Sequence, residues 1–395
     1  MAKRLADAAQ NEPAMLVFQG GGALGAYQGG VYEALHAAGY RPDWLAGMSI
    51  GAINSALVAG NEPERRVERL RNFWELVSSQ LILRSPLADG PVRKLFNESA
   101  AGLVSLAGIP GFFAPRVPPP FAHAPGSEDA VSFYDTSPLR KTLLELVDFE
   151  LLNSGRVRFS VGAVNVQTGN FAYFDNRECE IRPEHIMASG ALPPGFPPVV
   201  IEGTPYWDGG LVSNTPLQYV LDNRDPGDAT IFQVDLFSAR GKAPRTIGDV
   251  LQREKDIRYS SRTRFNTDVY KRLGQLHEAA ERLRAKLPPE LREDEDMRLL
   301  ASCYGQGAIT LVHLINRSES FETQSKDYEF SRMTIDEHWA SGKADVERTF
   351  SHPEWSGRKR HVGGIVTYDL AETGVEPPNR DKRAGRSLRR EGAEA

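Results

Sequence analysis

The chain has 395 residues, 41% of them hydrophobic and 25% charged, the composition of an ordinary globular protein of one large domain or two. A formal net charge of −5 offers no basic footprint for nucleic acid, so no nucleic-acid partner is expected. Two cysteines, Cys179 and Cys303, cannot build a disulfide framework, and the eight histidines show no metal-ligand spacing, so neither a metal nor a cofactor is expected.

Residues 1–13 read as a flexible leader, basic and then polar, without the apolar core of a secretory signal. No apolar run approaches the ~18 residues of a membrane span. The expectation is a cytoplasmic protein, peripheral at the inner membrane when it touches lipid. Met15 to Phe18 is a short apolar strand that runs into Gly20-Gly21-Gly22-Ala23-Leu24-Gly25, and a helix follows over Gly29 to Leu35. Asp43 to Ala46 then leads into Gly47-Met48-Ser49-Ile50-Gly51, and Ile50 to Ala59 is a helix of small apolar residues. The first turn gathers backbone N–H groups at a helix N-terminus, a geometry that holds an anion. In the second, Gly47 and Gly51 flank Ser49 as in a nucleophile elbow, where a tight strand-to-helix turn pushes the hydroxyl outward. A nucleophile beside an oxyanion cradle is the equipment of acyl transfer. The pair reads as a serine hydrolase.

Two rival readings meet obstacles in the same residues. Gly20-x-Gly22-x-x-Gly25 also satisfies the dinucleotide fingerprint, which would make the protein an oxidoreductase. That reading wants an acidic residue closing the second strand; Asp43 precedes the strand, and Ser49 follows it. An ordinary α/β-hydrolase needs several strands before its elbow, and only 48 residues precede Ser49.

Further on, Glu64 to Ser79 reads as a charged helix. Pro86 to Tyr134, rich in Pro and Gly, reads as irregular, with Phe112, Phe113 and Phe121 in a loop that either covers the acyl site or wraps the core. A helix is expected from Asp135 to Val147, with Leu139, Leu143, Leu144 and Val147 as its stripe. Val157 to Val166 and Phe171 to Phe174 form a hairpin, and Glu184 to Met187 a short helix. Ala188 to Pro198 is a Pro/Gly-rich loop containing Pro193; Val199 to Ile201 is a strand, and Tyr206-Trp207-Asp208-Gly209-Gly210 follows. Asn214 either fixes that loop or caps a helix. Thr230 to Phe237 is a buried strand.

With these motifs in order, the chain resembles the patatin-like phospholipases over roughly Met15 to Phe237. The family's oxyanion glycines match Gly20, Gly21, Gly22 and Gly25, its nucleophile Ser49, and its Asp-Gly-Gly aspartate Asp208; its Pro-rich block matches Ser189 to Pro198. The resemblance implies a Ser49–Asp208 dyad with no histidine. It implies an oxyanion hole over Gly20, Gly21, Gly22, Ala23, Leu24 and Gly25, and a supporting loop with Pro193, Gly209 and Gly210. The fold implied is a three-layer α/β/α, doubly wound, mostly parallel sheet, and the activity is hydrolysis of lipid esters of the phospholipase A or lysophospholipase type. A non-catalytic lipid-binding protein of the same fold is the alternative. Leu24 stands where the family usually carries Arg or Lys, so a neutral ester fits at least as well as an anionic phospholipid.

After Phe237 the composition turns charged, and residues 238–375 are expected to form a mainly helical extension on the 14–237 catalytic domain. Phe265, Val269, Leu273, Leu276, Ala280, Leu283 and Leu287 recur at helical spacing. That stripe either packs on the core or joins two copies in a homo-oligomer. Gly305 to Asn316 reads as a strand, Tyr328 to Phe350 as a helix, and 376–395 as a disordered tail.

Overall fold

A computed structural model describes residues 13–82, 85, 89–260, 263–292, 294–302, 307–317, 322–359 and 364–371. The expected leader and the 376–395 tail lie outside the described residues. In chain order, β1 (Ala14–Phe18) leads through the glycine turn to α1 (Ala26–Ala37), and β2 (Pro42–Gly47) through Ser49 to α2 (Ile50–Ala59). The helices α3 (Arg66–Val77) and α4 (Pro91–Ala107) precede a two-stranded ribbon of β3 (Ala114–Pro115) and β4 (Tyr134–Asp135). Then come α5 (Ser137–Leu146), β5 (Arg158–Asn165), β6 (Phe171–Asp175), α6 (Pro183–Ser189), β7 (Val199–Ile201), β8 (Thr204–Asp208), α7 (Leu217–Asn223) and β9 (Ala229–Asp235). The remaining elements used below are α8 (Ile247–Tyr259), α9 (Thr263–Arg284), β10 (Ile309–Ile315), α10 (Arg332–Ser351) and β11 (Ile365–Tyr368).

One sheet organises the protein, in the order β11-β10-β9-β1-β2-β5-β8-β7, with β6 also paired to β5. The six strands from β11 to β5 run parallel; β6, β7 and β8 join antiparallel. The central strands are buried on both faces, which is why β1 is continuously apolar rather than alternating. Leu16 and Phe18 enter the larger core, with α1, α2, α3 and α10. Met15 and Val17 enter the opposite core, with Leu217, Val220 and Leu221 of α7 and with Leu273 of α9. This is the three-layer α/β/α arrangement that the motifs imply.

Three expectations are corrected, and the alternatives for Phe112 and Phe113 are decided. The irregular stretch contains α4, a 17-residue helix that starts at Pro91 and ends before Gly108. Proline costs nothing at the first helical position, where its missing N–H has no partner to lose. Phe112 and Phe113 are buried in the larger core, so they pack rather than cover; Phe121 is 83% exposed. In α5, Leu139 and Leu143 are buried but Leu144 faces solvent. Finally α10 begins at Arg332, where the Ser331 hydroxyl accepts from the Thr334 N–H, and residues 322–331 before it are non-helical. The α9 stripe divides: Leu273 and Ala280 pack, while Val269, Leu276 and Leu283 are exposed.

The segment after residue 237 adds β10 and β11 to the sheet, β10 pairing along the whole length of β9. Its helix α10 lies against α1 at backbone contact. A methyl group on Gly30 would stand 1.9 Å from the Trp339 carbonyl oxygen, and one on Gly342 would stand 2.1 Å from that of Tyr27. The Tyr27 hydroxyl donates to Asp345 at 2.5 Å, tying the two helices together in the core.

Candidate active site

Both turns lie at the C-terminal edge of the parallel strands, where doubly wound sheets place their sites. The elbow is built by close approach. A methyl on Gly47 would meet the Gly51 carbonyl oxygen at 2.3 Å, and one on Gly51 would meet the Phe18 carbonyl oxygen at 2.4 Å. Any larger residue at either place would push α2 away from β1 and β2. Ser49 between them is left at φ 53°, ψ −122°, a conformation side-chain-bearing residues rarely adopt. Its N–H donates to the Ser189 hydroxyl at 3.0 Å, which anchors the elbow to the end of α6.

Strand register explains how Asp208 meets the serine. Gly47 pairs with Val161 of β5, and Ala163, two residues on, pairs with Asp208 of β8. Ser49, two residues beyond Gly47, therefore arrives at the level of Asp208 across a single strand. The Ser49 side chain lies near enough to the Asp208 carboxylate to lower its pKa, and the Gly210 N–H donates to the same carboxylate at 2.7 Å. Burial is the dominant influence on Asp208, raising its carboxyl from 3.8 to about 7, while the Gly210 N–H and Ser49 pull the other way. Ser49 itself is only half-buried. The pair joins a reachable hydroxyl to a shielded carboxylate.

The glycine turn abuts the serine: a methyl on Gly20 would stand 2.9 Å from Ser49 Cβ. Its N–H groups are not equally available. Gly20 donates to the Asn214 carbonyl at 3.2 Å, Ala23 to the Asp327 carbonyl at 2.8 Å, and Leu24 to the Gly21 carbonyl at 3.2 Å. Of the six residues of the expected cradle, only Gly21 and Gly22 are half-exposed, while Gly20, Ala23, Leu24 and Gly25 are buried. Leu24 is fully buried in the larger core, where a leucine packs and a solvated cation would not.

Asn214 does not cap a helix, and what its side chain holds is the glycine turn and not only its own loop. Its Nδ2 donates to the Gly20 carbonyl and to the Tyr259 carbonyl, both at 3.0 Å. Of the supporting loop, Gly209 is needed for contact, since a methyl there would lie 2.2 Å from Met48 Sδ. Gly210 supplies its N–H. Pro193 lies in the stretch that hands the chain from Ser189 to Phe196, and Ala191 within it accepts from the Asp208 N–H at 3.0 Å.

Comparison with known proteins gives the family. The family model described as patatin-like phospholipase matches residues 16–221. The chain belongs to the patatin-like phospholipase family. A second family model, described as patatin phospholipase, matches residues 257–362. Among curated proteins none matches. Two solved structures are similar at 13% identity. VipD from Legionella pneumophila aligns over 83% of this chain and 67% of its own, with a TM-score of 0.31. Human GIVD cytosolic phospholipase A2 aligns over 60% of this chain and 45% of its own, with a TM-score of 0.33, so this patatin-like chain spans under half of the human one.

No histidine takes part in the hydrogen bonds of Ser49 or Asp208 among the described residues. His185, nearest in sequence to the Pro-rich loop, uses its Nδ1 to accept from the Arg182 N–H at the start of α6. Burial lowers its pKa. Four contributors escape motif reading. Ser189 had been only the first letter of the Pro-rich block. Gln19 is fully buried, with its side-chain oxygen accepting from the N–H groups of Leu236 and Phe237 and its Nε2 donating to Thr215 and to the Tyr259 carbonyl. A glutamine among apolar residues next to a functional turn was the available signal. Tyr259 and Asp327 act through backbone carbonyls, which no side-chain pattern reveals.

Proposed function

We propose that this patatin-like protein is a serine acylhydrolase that cleaves carboxylic ester bonds of lipids with a Ser49–Asp208 dyad. The observation that carries the reading is the strand register that brings the half-buried Ser49 level with the buried Asp208, beside a glycine turn whose Gly20 abuts Ser49 and whose Gly21 and Gly22 are half-exposed. Asp208 takes the hydroxyl proton as Ser49 Oγ attacks the ester carbonyl. The oxyanion of the tetrahedral intermediate rests on the N–H groups of Gly21 and Gly22. Collapse returns the proton from Asp208 to the leaving alcohol and leaves an acyl-Ser49 ester. Asp208 then deprotonates a water that attacks this ester, and returns that proton to Ser49 Oγ as the fatty acid leaves. With Leu24 buried in the core, the turn presents no side-chain cation, and the exposed Leu211 and Val212 beyond Gly210 suit a lipid ester that need not be anionic. The reaction is of the phospholipase A or lysophospholipase type, and the cytoplasm is its proposed location. No helix among the described residues is long and apolar enough to cross a membrane.

Reaction with a fluorophosphonate, followed by peptide mass spectrometry and a panel of p-nitrophenyl esters of graded chain length, tests the reading. Label should appear on Ser49 alone, and Ser49→Ala should lose ester hydrolysis by several orders of magnitude. Label on another serine, with Ser49→Ala still active, refutes it.

A further inference from the structure

The proposed reaction depends on where the Gly21 and Gly22 N–H groups point, and the turn that carries them is gripped from outside residues 16–221. On one side the Asp327 carbonyl oxygen accepts from the Ala23 N–H at 2.8 Å. That same oxygen lies 2.0 Å from where a Gly22 methyl would be, and Gly22 sits at φ +55°. The carbonyl is therefore seated in the bend of the turn itself. On the other side the Tyr259 carbonyl, at the end of α8, accepts from the side chains of Gln19 and Asn214, the residues that lead into Gly20 and hold it.

These two grips are joined to each other by crossed ion pairs. Neighbouring residues of α8, Lys255 and Asp256, meet neighbouring residues of the 322–331 segment, Asp327 and Lys326. Lys255 Nζ lies 2.7 Å from Asp327 Oδ1 and donates to the Gln324 carbonyl at the same distance. Lys326 Nζ lies 2.8 Å from Asp256 and 3.3 Å from Glu322. Lys326 is buried; burial disfavours its charge, but Glu322 and Asp256 outweigh it and hold the pKa above the ordinary lysine range. A buried pair of this kind is weak evidence for stability but fixes one arrangement against others, because either partner alone would be left charged and unpaired.

We propose that α8 and the 322–331 segment form a clamp, locked by the crossed pairs Lys255–Asp327 and Asp256–Lys326, that sets the oxyanion turn through the Asp327 carbonyl. The inference rests on the acylhydrolase reading above. Asp327 and Lys255 are positioning residues: neither touches substrate, and both act through the Gly22–Ala23 backbone. Small misplacement of donors costs transition-state stabilisation far more than substrate binding.

The test uses the full chain with Lys255→Met, Asp327→Ala and Asp327→Asn. Rates are normalised to active sites titrated with fluorophosphonate, and folding is checked by thermal melting. Lys255→Met and Asp327→Ala should each lower kcat about tenfold, with KM within about twofold. Binding of an alkyl trifluoromethyl ketone, which forms an oxyanion on Ser49, should weaken by the same factor as kcat/KM. Asp327→Asn, which still accepts from Lys255, should recover to within about threefold of wild type. If Lys255→Met fails to fold, Asp327→Ala decides, since it leaves the Lys255 bond to Gln324 in place. A folded Asp327→Ala with wild-type kcat and ketone affinity overturns the clamp. A wild-type protein that neither reacts at Ser49 nor hydrolyses any ester overturns the acylhydrolase reading instead.

Discussion

Ser49 is held in a backbone conformation that costs of order 1–3 kcal/mol, and the glycines packed around it are what impose the conformation. Relief of that strain is measurable. Ser49→Gly should abolish turnover yet raise the melting temperature, because glycine occupies positive φ without penalty; a fall in melting temperature would show that Ser49 is not strained. Asp208 makes a second exchange of stability for function. Its carboxyl sits near 7 in the folded protein against 3.8 in its ordinary state, so the folded chain binds that proton more tightly than the unfolded one. Stability is therefore lost as pH rises from about 4 to 7 and stays low above. Asp208→Asn, which cannot ionise, should melt higher than wild type at pH 8, with the advantage fading toward pH 4. The same value fixes the activity profile with the opposite sign. A base must be unprotonated to accept the Ser49 proton, so kcat/KM should rise with pH through about 7 and level off above it. A profile flat from pH 5 to 8 would remove Asp208 as the base. Replacing His185 with Ala should keep activity within about tenfold, since its ring serves the α6 terminus. At this scale Ser49, Asp208 and the glycines were legible because their chemistry requires a residue type at a spacing. Gln19 and Asp327 were not, because what they supply is one buried amide and one main-chain oxygen.

Helices and strands were legible where a period met a boundary signal, and misread where proline was taken only as a breaker. In α4 the buried positions Arg93, Asn97, Ala100, Ala101 and Val104 follow a helical spacing, but two of the five are polar, so no apolar stripe announces the helix. The Pro-dense run that obscured it begins only after Gly108. In α5, Leu144 continued the apolar count without continuing the buried face. The expected helix starts four residues early, at Tyr328, because nothing in the composition of residues 328–331 forbids helix; the Ser331 cap is what starts it at Arg332. Packing between α1 and α10 depends on an element-level detail that periodicity does not encode, the reciprocal absence of side chains at Gly30 and Gly342. Helices that approach to backbone contact cannot take a methyl without separating. Gly30→Ala and Gly342→Ala should each destabilise the protein by about 1–3 kcal/mol despite alanine's better helix propensity. Chemical denaturation monitored by fluorescence would read this directly; a gain in stability from either change would mean the two helices are not in contact.

At the scale of the whole molecule, the sequence suggested a seam at 237/238 because charge rises sharply there. Part of that charge is exposed, as at Glu254, Arg258, Arg272 and Glu281 of α8 and α9, and part is buried in ion pairs, as at Asp256 and Lys326. After these two helices the chain returns to the sheet as β10 and β11, and α10 covers the same core that α1, α2 and α3 build. A shift in composition reports which residues meet water; it does not report whether the strands that follow belong to a new sheet or an old one. Only the seven-residue pairing of β10 with β9, a contact across about eighty residues of sequence, decides this. The consequence is a strong expectation for a chain ending at Phe237. It would expose the backbone edge of β9, where Ile231, Phe232 and Val234 are fully buried. It would also uncover the face of α1 carrying Tyr27, Gly29 and Gly30, and remove the Tyr259 and Asp327 carbonyls from the glycine turn. An unpaired apolar edge beside an uncovered apolar helix favours association over folding. Such a chain should be recovered mainly as aggregate, without a cooperative melt and without fluorophosphonate labelling of Ser49. A soluble monomer ending at Phe237 that melts cooperatively and hydrolyses esters at the full-length rate would show that residues 16–221 carry a self-sufficient site, and that the strands added after it are accessory.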